Sequence, residues 1–343
     1  MFIFRADGNS SIGMGHIMRC FSIADCLKDM GKESCFLISA DSNLPRMQSL
    51  GFPVLQLQQE HSQGWSSEEA AQLLSNYQVD AIILDSYRVG PEDFTRLKAV
   101  APLCYIDDLW SFDYAADAII NYNIEAEESF YFPTLYPDRK LYLGPSYFPI
   151  RKDMLPSHPK KPHAPIKNVL ITTGSTDPYH ISEIILQWIS PSKYPDISFH
   201  VLLGAFYEAD YVSGLSDLFS GQDNVSFLSW GQNMKELYAT TDIMISPGST
   251  MIYEALISGV LCISYCFADN QMTQCTAMSE KGIVPYIGDF RQDDSALMAQ
   301  KTNLLFQSSL RKQQCEMSRK IGQFHLDGKG AERIAEILIS LIH

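Results

Sequence analysis

Among the 343 residues there is no Cys-x-x-Cys pair, no HExxH segment and no Cys/His cluster, so the usual zinc and dithiol motifs are missing. Gly-x-Ser-x-Gly and the Walker sequence are also absent, which removes the serine-hydrolase elbow and the P-loop. Asp293-Asp294 reads as a helix cap rather than a metal pair. No metal or cofactor is expected. Positive charge is scarce: 26 Lys and Arg stand against 40 Asp and Glu, a net charge of −14. Such a surface repels phosphate backbones and anionic lipid, so nucleic acid is not an expected partner, and a small anion in a local pocket remains compatible. Long apolar runs are missing too. The longest, Leu256 to Ala268, is 13 residues and holds Gly259 and two Ser, too short for membrane insertion. The opening MFIFRADGNSS has no signal-peptide core. A cytoplasmic protein is expected, its eight cysteines free and buried.

Alternation is what the chain does have. Phe2–Arg5, Cys35–Ser39, Val54–Leu57, Ala81–Asp85, Leu103–Ile106 and Ile119–Asn121 read as strands, and His16–Met30, Glu68–Tyr77 and Pro91–Val100 as helices between them. Residues 151–166 are rich in Pro and Lys and read as a linker. Alternation then restarts with strands at Asn168–Thr173, Ser198–Leu203, Val225–Leu228, Ile243–Ser246 and Leu261–Tyr265. Helices are expected after Pro178, at Asn233–Ala239, Thr250–Ser258, Gln271–Lys281 and Ser295–Phe306, and from Ala331 onward. The expectation is an α/β protein of two Rossmann-like doubly wound parallel sheets facing a cleft, with domains at 1–150 and 167–343.

Chemistry-bearing residues gather at the expected strand ends. Asp7-Gly8-Asn9-Ser10-Ser11-Ile12-Gly13-Met14-Gly15-His16 leads from a strand into a helix, with Arg19 one turn on. Gly13 and Gly15 permit close approach to the backbone, and the helix start offers free N–H groups to an anion. A helix N-terminus disfavours a positive ring, so His16 is expected uncharged and able to accept a proton. A capping or packing role is the plainer alternative for such a histidine. Leu84-Asp85-Ser86-Tyr87 ends another strand, where Asp85 or Tyr87 could hold a substrate hydroxyl or orient His16, or Asp85 could cap the next helix. Ile106-Asp107-Asp108-Leu109 is a similar candidate, with turn chemistry as its plainer explanation. In the second half, Gly174-Ser175 and Gly248-Ser249-Thr250 are small-residue turns after strands. Glu254 lies four residues beyond Thr250, on the same helix face, a spacing that suits a diphosphate at the turn and a ribose on the carboxylate. Asn270-Gln271 follows the next strand.

Arg5-Ala6-Asp7-Gly8-Asn9 with Gly13-Met14-Gly15-His16-Ile17-Met18-Arg19-Cys20 resembles the N-terminal signature of the UDP-sugar hydrolases of pseudaminic acid biosynthesis. Leu84-Asp85-Ser86-Tyr87, Ile106-Asp107-Asp108, Leu143-Gly144-Pro145-Ser146-Tyr147, Asn270-Gln271 and Asp327-Gly328-Lys329-Gly330-Ala331 are similar to further segments of that family. The resemblance implies the GT-B architecture of glycosyltransferases and an inverting, metal-independent hydrolysis of a UDP-linked diacetamido-trideoxy sugar. It implies His16 as general base and Tyr87 as an active-site residue. Asp7, Asn9, Gly13, Gly15, Arg19, Asp85 and Asp107 are the expected sugar contacts. Gly174, Ser175, Gly248, Ser249, Thr250, Glu254, Asn270 and Gln271 are the expected nucleotide contacts. Gly174-Ser175-Thr176 and Pro247-Gly248-Ser249 depart from the glycine pairs common in relatives, beside the expected diphosphate. An inverting glycosyltransferase using a UDP-sugar donor is the alternative, and a non-catalytic nucleotide-sugar-binding protein a third reading. Which stereoisomer is bound, and the oligomeric state, are not set by the sequence.

Overall fold

A computed structural model describes residues 1–8, 14–58, 65–156, 166–307, 322 and 324–342. The chain forms two compact units, Met1–Lys152 with Asp327–His343, and Asp153–Leu326.

The first unit is built on strands β1 (Phe2–Ala6), β2 (Ser34–Ile38), β3 (Val54–Gln56), β4 (Ala81–Asp85), β5 (Leu103–Ile106), β6 (Ala118–Asn121) and β7 (Lys140–Leu143). Helices α1 (Gly15–Asp29), α2 (Leu44–Gln48), α3 (Ser67–Leu74) and α4 (Pro91–Lys98) connect them. Every pairing in the sheet is parallel and the order is β3-β2-β1-β4-β5-β6-β7. Strands β1, β2, β4, β5 and β6 are buried along their whole length, which is why they read as unbroken apolar runs rather than alternating ones. The edge strand β7 was not expected from the sequence. Its first residue is exposed and the rest are half-buried, so its apolar signal is weak.

In the second unit, β8 (Asn168–Thr172), β9 (Ser198–Leu202), β10 (Val225–Leu228), β11 (Ile243–Pro247), β12 (Leu261–Cys266) and β13 (Tyr286–Asp289) form a parallel sheet ordered β10-β9-β8-β11-β12-β13. Its helices are α5 (Ile181–Ile189), α6 (Ala209–Leu218), α7 (Met234–Thr240), α8 (Thr250–Ile257), α9 (Asp269–Glu280) and α10 (Ser295–Gln307). Both α6 and β13 escaped the sequence reading. Only Leu215 of α6 is buried, and β13 pairs with β12 through an irregular register.

The expected division at 167–343 is corrected at its end. The Gly330–Ser340 helix belongs to the first unit, where it packs on α1. Its apolar face (Ala331, Ile334, Ala335, Ile337, Leu338) is buried there. Gly330 is what lets it dock, since a Cβ at that position would stand 2.1 Å from the Phe148 carbonyl oxygen. Arg333 donates to the Ser146 carbonyl at 2.8 Å. The Leu143–Tyr147 and Asp327–Ala331 motifs are therefore the two halves of one docking joint. The expected linker falls largely on residues 157–165, outside the described residues.

Candidate active site

Strands β1 and β4 are neighbours in the first sheet, with Ala6 paired to Asp85, although chain connections leave them in opposite directions. Loops diverging at such a point leave room at the C-terminal strand edge for a ligand. His16, in the first turn of α1, and Asp85, the last residue of β4, meet there. The Nδ1 of His16 lies 2.6 Å from Asp85 Oδ1. The carboxylate has only lone pairs to offer, so Nδ1 is the donor of this pair and Nε2 is the ring nitrogen that Asp85 leaves unused. The imidazole is 8% exposed and the Asp85 carboxylate fully buried.

Arg19, one turn along α1, closes the arrangement from below. Its Nε donates to Asp85 Oδ2 at 2.5 Å, a second N–H reaches Oδ1, and Nη1 donates to the Tyr122 hydroxyl at 2.6 Å. Nη2 also lies 2.9 Å from His16 Nδ1, two donors converging on one carboxylate. Burial alone would raise the Asp85 pKa, but Arg19 and His16 outweigh it and hold the carboxyl well below its ordinary range. The Arg19 charge is in turn locked on, burial being overcome by Asp85.

Tyr87 stands at the surface of this cluster, its ring meeting the His16 ring edge-on with centroids 4.6 Å apart. The ring is 51% exposed, whereas its hydroxyl donates to Asp108 Oδ2 at 2.7 Å. Burial of that end and the Asp108 carboxylate push the phenol's pKa up, so Tyr87 is a neutral donor.

Several of the expected sugar contacts are buried or half-buried and bonded to protein groups. Asp7 is 1% exposed, paired with Arg5 at 2.7 Å, and accepts from the Ser39 amide at 2.9 Å. Burial opposes its ionisation, yet Arg5 prevails and its pKa falls to about 2. Asp85 accepts from Arg19 and His16, and Arg19 reaches Tyr122 and Asp108 as well. Asp107 is 1% exposed and accepts from the Tyr131 hydroxyl at 2.7 Å, the Tyr114 hydroxyl at 3.0 Å and the Leu109 amide at 3.0 Å. It holds a turn, the plainer of its two sequence readings, and its neighbour Asp108 is the carboxylate that reaches Tyr87. Tyr122 was missed altogether, its only signal being a position one residue past β6. Gly15 is exposed at the start of α1. Asn9 and Gly13 lie outside the described residues.

The second unit has its own strand-edge group. Gly174 takes a left-handed φ of 85°, and its amide donates to Thr172 Oγ1 at 3.2 Å. Gly204, unnoticed in the sequence, lies under this turn: a Cβ there would come within 2.3 Å of the Gly174 and Ser175 carbonyl oxygens. Ser249 precedes α8, and its hydroxyl is buried without a hydrogen-bond partner. Gly248 lets this turn sit against α9, because a Cβ would lie 2.6 Å from Cys275 Sγ and from the Gln271 carbonyl oxygen. Gln274 Nε2 donates to the Ser249 carbonyl at 3.1 Å. Thr250 is exposed, and Glu254 is half-buried and accepts from the Tyr238 hydroxyl at 3.1 Å. Asn270 is exposed, while Gln271 Oε1 caps the Phe267 amide at 2.9 Å. The nearby start of α5 is closed by Asp177, which accepts from the Ile181 amide at 2.7 Å and the Ser182 amide at 3.0 Å. A carboxylate already fills that helix end.

Among the described residues no group of three or more His, Cys, Asp or Glu could hold a metal ion, and no helix is long and apolar enough to cross a membrane. The seven described cysteines are buried.

No family model matches the chain. An uncharacterized protein of Methanocaldococcus jannaschii is 27% identical over 274 residues, 74% of this chain and 53% of that protein, so the chain spans about half of this relative. The UDP-2,4-diacetamido-2,4,6-trideoxy-beta-L-altropyranose hydrolase of Campylobacter jejuni is 22% identical over 283 residues, covering 82% of this chain and 96% of the enzyme. Among solved structures, MurG of Acinetobacter baumannii aligns with a TM-score of 0.69 over 99% of both chains at 13% identity. At that identity the likeness speaks for the fold alone. The chain thus has the fold of the GT-B glycosyltransferases, and along most of its length it resembles the UDP-diacetamido-trideoxy-altropyranose hydrolase family.

Proposed function

We propose that the protein hydrolyses a UDP-linked diacetamido-trideoxy sugar at its anomeric C–O bond, releasing UDP and the free sugar. The observation that carries this reading is the His16–Asp85 pair at the switch point of the first sheet, with Nδ1 committed to the carboxylate at 2.6 Å. Nε2 is then the one ring nitrogen able to take a proton. In the reaction a water oxygen bonds to C1 from the face opposite the diphosphate, its proton passes to His16 Nε2, and the C1–O electron pair leaves with UDP. Asp85 keeps the ring in the working tautomer and stabilises the imidazolium that forms, while Arg19 holds Asp85 in place. Tyr87 offers an exposed ring beside His16 for the sugar to rest on.

A glycosidase acting on an alcohol leaving group needs a second carboxyl to protonate it. UDP departs as a stable anion and needs only donors around the diphosphate. The second unit supplies candidates: the turns at Gly174–Ser175 and Gly248–Ser249–Thr250, and the free N–H groups at the start of α8. Glu254 is assigned to the ribose hydroxyls, and Asn270 and Gln271 to the rest of the nucleotide. The similarity to the Campylobacter jejuni hydrolase supports this substrate, and the sequence resemblance assigns the product to pseudaminic (nonulosonic) acid biosynthesis.

The fold favours one second reading, a transferase in which His16 takes its proton from an acceptor hydroxyl instead of water. One experiment separates the two. Purified protein is incubated with a panel of UDP-sugars without acceptor and UDP release is followed. Release from a diacetamido-trideoxy sugar is expected, and EDTA is expected to leave the rate unchanged. Release only on adding a sugar or lipid acceptor would install the transferase.

A further inference from the structure

Asp107 has been explained so far only as the holder of a turn, but what it holds is unusual. Trp110 sits at φ 38°, a left-handed conformation that bulky side chains rarely adopt. Its amide points at the Asp107 carboxylate, at 3.1 and 3.2 Å from the two oxygens. The same carboxylate accepts from the Tyr131 hydroxyl at 2.7 Å. Tyr131 follows Phe130 in the short 3-10 turn Glu128–Tyr131, and the Phe130 ring stacks on the Trp110 ring, centroids 4.6 Å apart and planes 30° from parallel. One buried carboxylate therefore pins the carriers of both rings. Strain in the backbone, held by a dedicated network, is a device for aiming a side chain.

The pair stands next to the candidate site in sequence and in space. Asp108, between Asp107 and Trp110, accepts the hydroxyl of Tyr87, whose ring meets His16. The surface around the pair stays open, with Leu109 43%, Phe130 36% and Phe132 57% exposed. We infer that Trp110 and Phe130 form an aromatic wall for the apolar face of the sugar, selecting sugars that carry methyl groups over sugars rich in hydroxyls. The inference rests on the reading of the first unit as the sugar's site. The physics is ordinary: a deoxy carbon or an acetamido methyl laid on a ring leaves water, whereas a hydroxyl in the same place loses its hydrogen bonds to water and gains none.

Trp110→Gly is the useful variant, because glycine adopts positive φ freely and the turn survives loss of the ring. Trp110→Phe keeps an aromatic surface. For UDP release from the diacetamido-trideoxy sugar, Trp110→Gly is expected to raise KM about tenfold, since each buried methyl is worth a factor of about four. Trp110→Phe and Phe130→Ala are expected to fall between it and the wild type, with kcat changed less than about threefold in all. Binding of UDP and of UDP-glucose, followed by calorimetry, is expected to stay unchanged. Equal weakening of all three ligands would mean a merely structural ring, and an unchanged KM would mean no contact; either result overturns the inference. Loss of phospholipid-vesicle pelleting with selectivity intact would overturn it in favour of a lipid surface. If the wild type releases no UDP, the hydrolase reading falls separately. The wall is then judged by calorimetry alone, through the affinity difference between the diacetamido-trideoxy UDP-sugar and UDP-glucose, which Trp110→Gly must abolish.

Discussion

At the edge between β1 and β4 the first unit places His16, Arg19 and Asp85, charged or ionisable side chains bonded to one another. At the corresponding edge between β8 and β11 the second unit places Gly174, Ser175, Gly248 and Ser249, where backbone amides and two hydroxyls are the polar material. The two sheets share a strand order except for the extra edge strand β7 of the first, and the contrast lies in the residues at the strand ends and the helix starts that follow them. Side chains such as imidazole can change protonation state within a reaction. Backbone amides cannot, but they bring fixed partial charge that needs no counter-ion. The first edge is thus suited to moving a proton and the second to holding an anion.

The sharpest way to break this division is His16→Ala. It is expected to lower kcat by about 10²- to 10⁴-fold, with UDP affinity by calorimetry within about twofold of wild type. A parallel loss of UDP affinity would mean that the two edges do not divide the work. Asp85→Asn attacks the same edge from behind. It swaps one carboxylate oxygen for an NH2 donor, so the imidazole tautomer is no longer fixed, and it leaves the Arg19 charge buried without its anionic partner. A loss of stability of about 3–5 kcal/mol in denaturant melts is expected alongside the fall in kcat. A fully active, fully stable variant would deny Asp85 its positioning role.

Gly248→Ala tests the other edge. The new methyl has no room between Cys275 Sγ and the Gln271 carbonyl, so the turn must shift, at a cost of about 1–3 kcal/mol. UDP binding is expected to weaken about tenfold or more while kcat at saturation changes little. Unaltered UDP affinity would move the nucleotide elsewhere.

The smallest effect concerns pH. The folded pKa of Asp7, about 2, lies below the ordinary value of 3.8. Its ion pair with Arg5 therefore stabilises the fold in full above about pH 4 and is lost as pH falls toward 2, a contribution of about 2 kcal/mol. Replacing Asp7 by Asn should flatten that part of the acid-unfolding curve. An unchanged curve would leave Asp7 without this role.

Much of this was readable in advance where one residue type has one use. The apolar runs announced buried parallel strands, and small residues after them announced turns, so Gly174–Ser175 and Gly248–Ser249 follow strands as expected. His16 was marked by its place at a strand-to-helix junction. The carboxylates were harder. Asp7, Asp85, Asp107 and Asp108 all stand at or just past strand ends, and nothing local tells a carboxylate that faces a ligand from one that faces a buried guanidinium. Weak elements such as α6 and β7 were missed because they bury little, and Gly204 because its close contact is with a turn thirty residues away.

Apolar periodicity and turn chemistry act over a few residues, and so the amino-acid order alone determined two doubly wound sheets and the histidine at the first strand's exit. Pairing across the sheet decided the rest. Which aspartate steadies His16 and which unit receives the terminal helix depend on charges and surfaces meeting across 69 and 187 residues of chain, where burial makes each partner's choice costly to reverse.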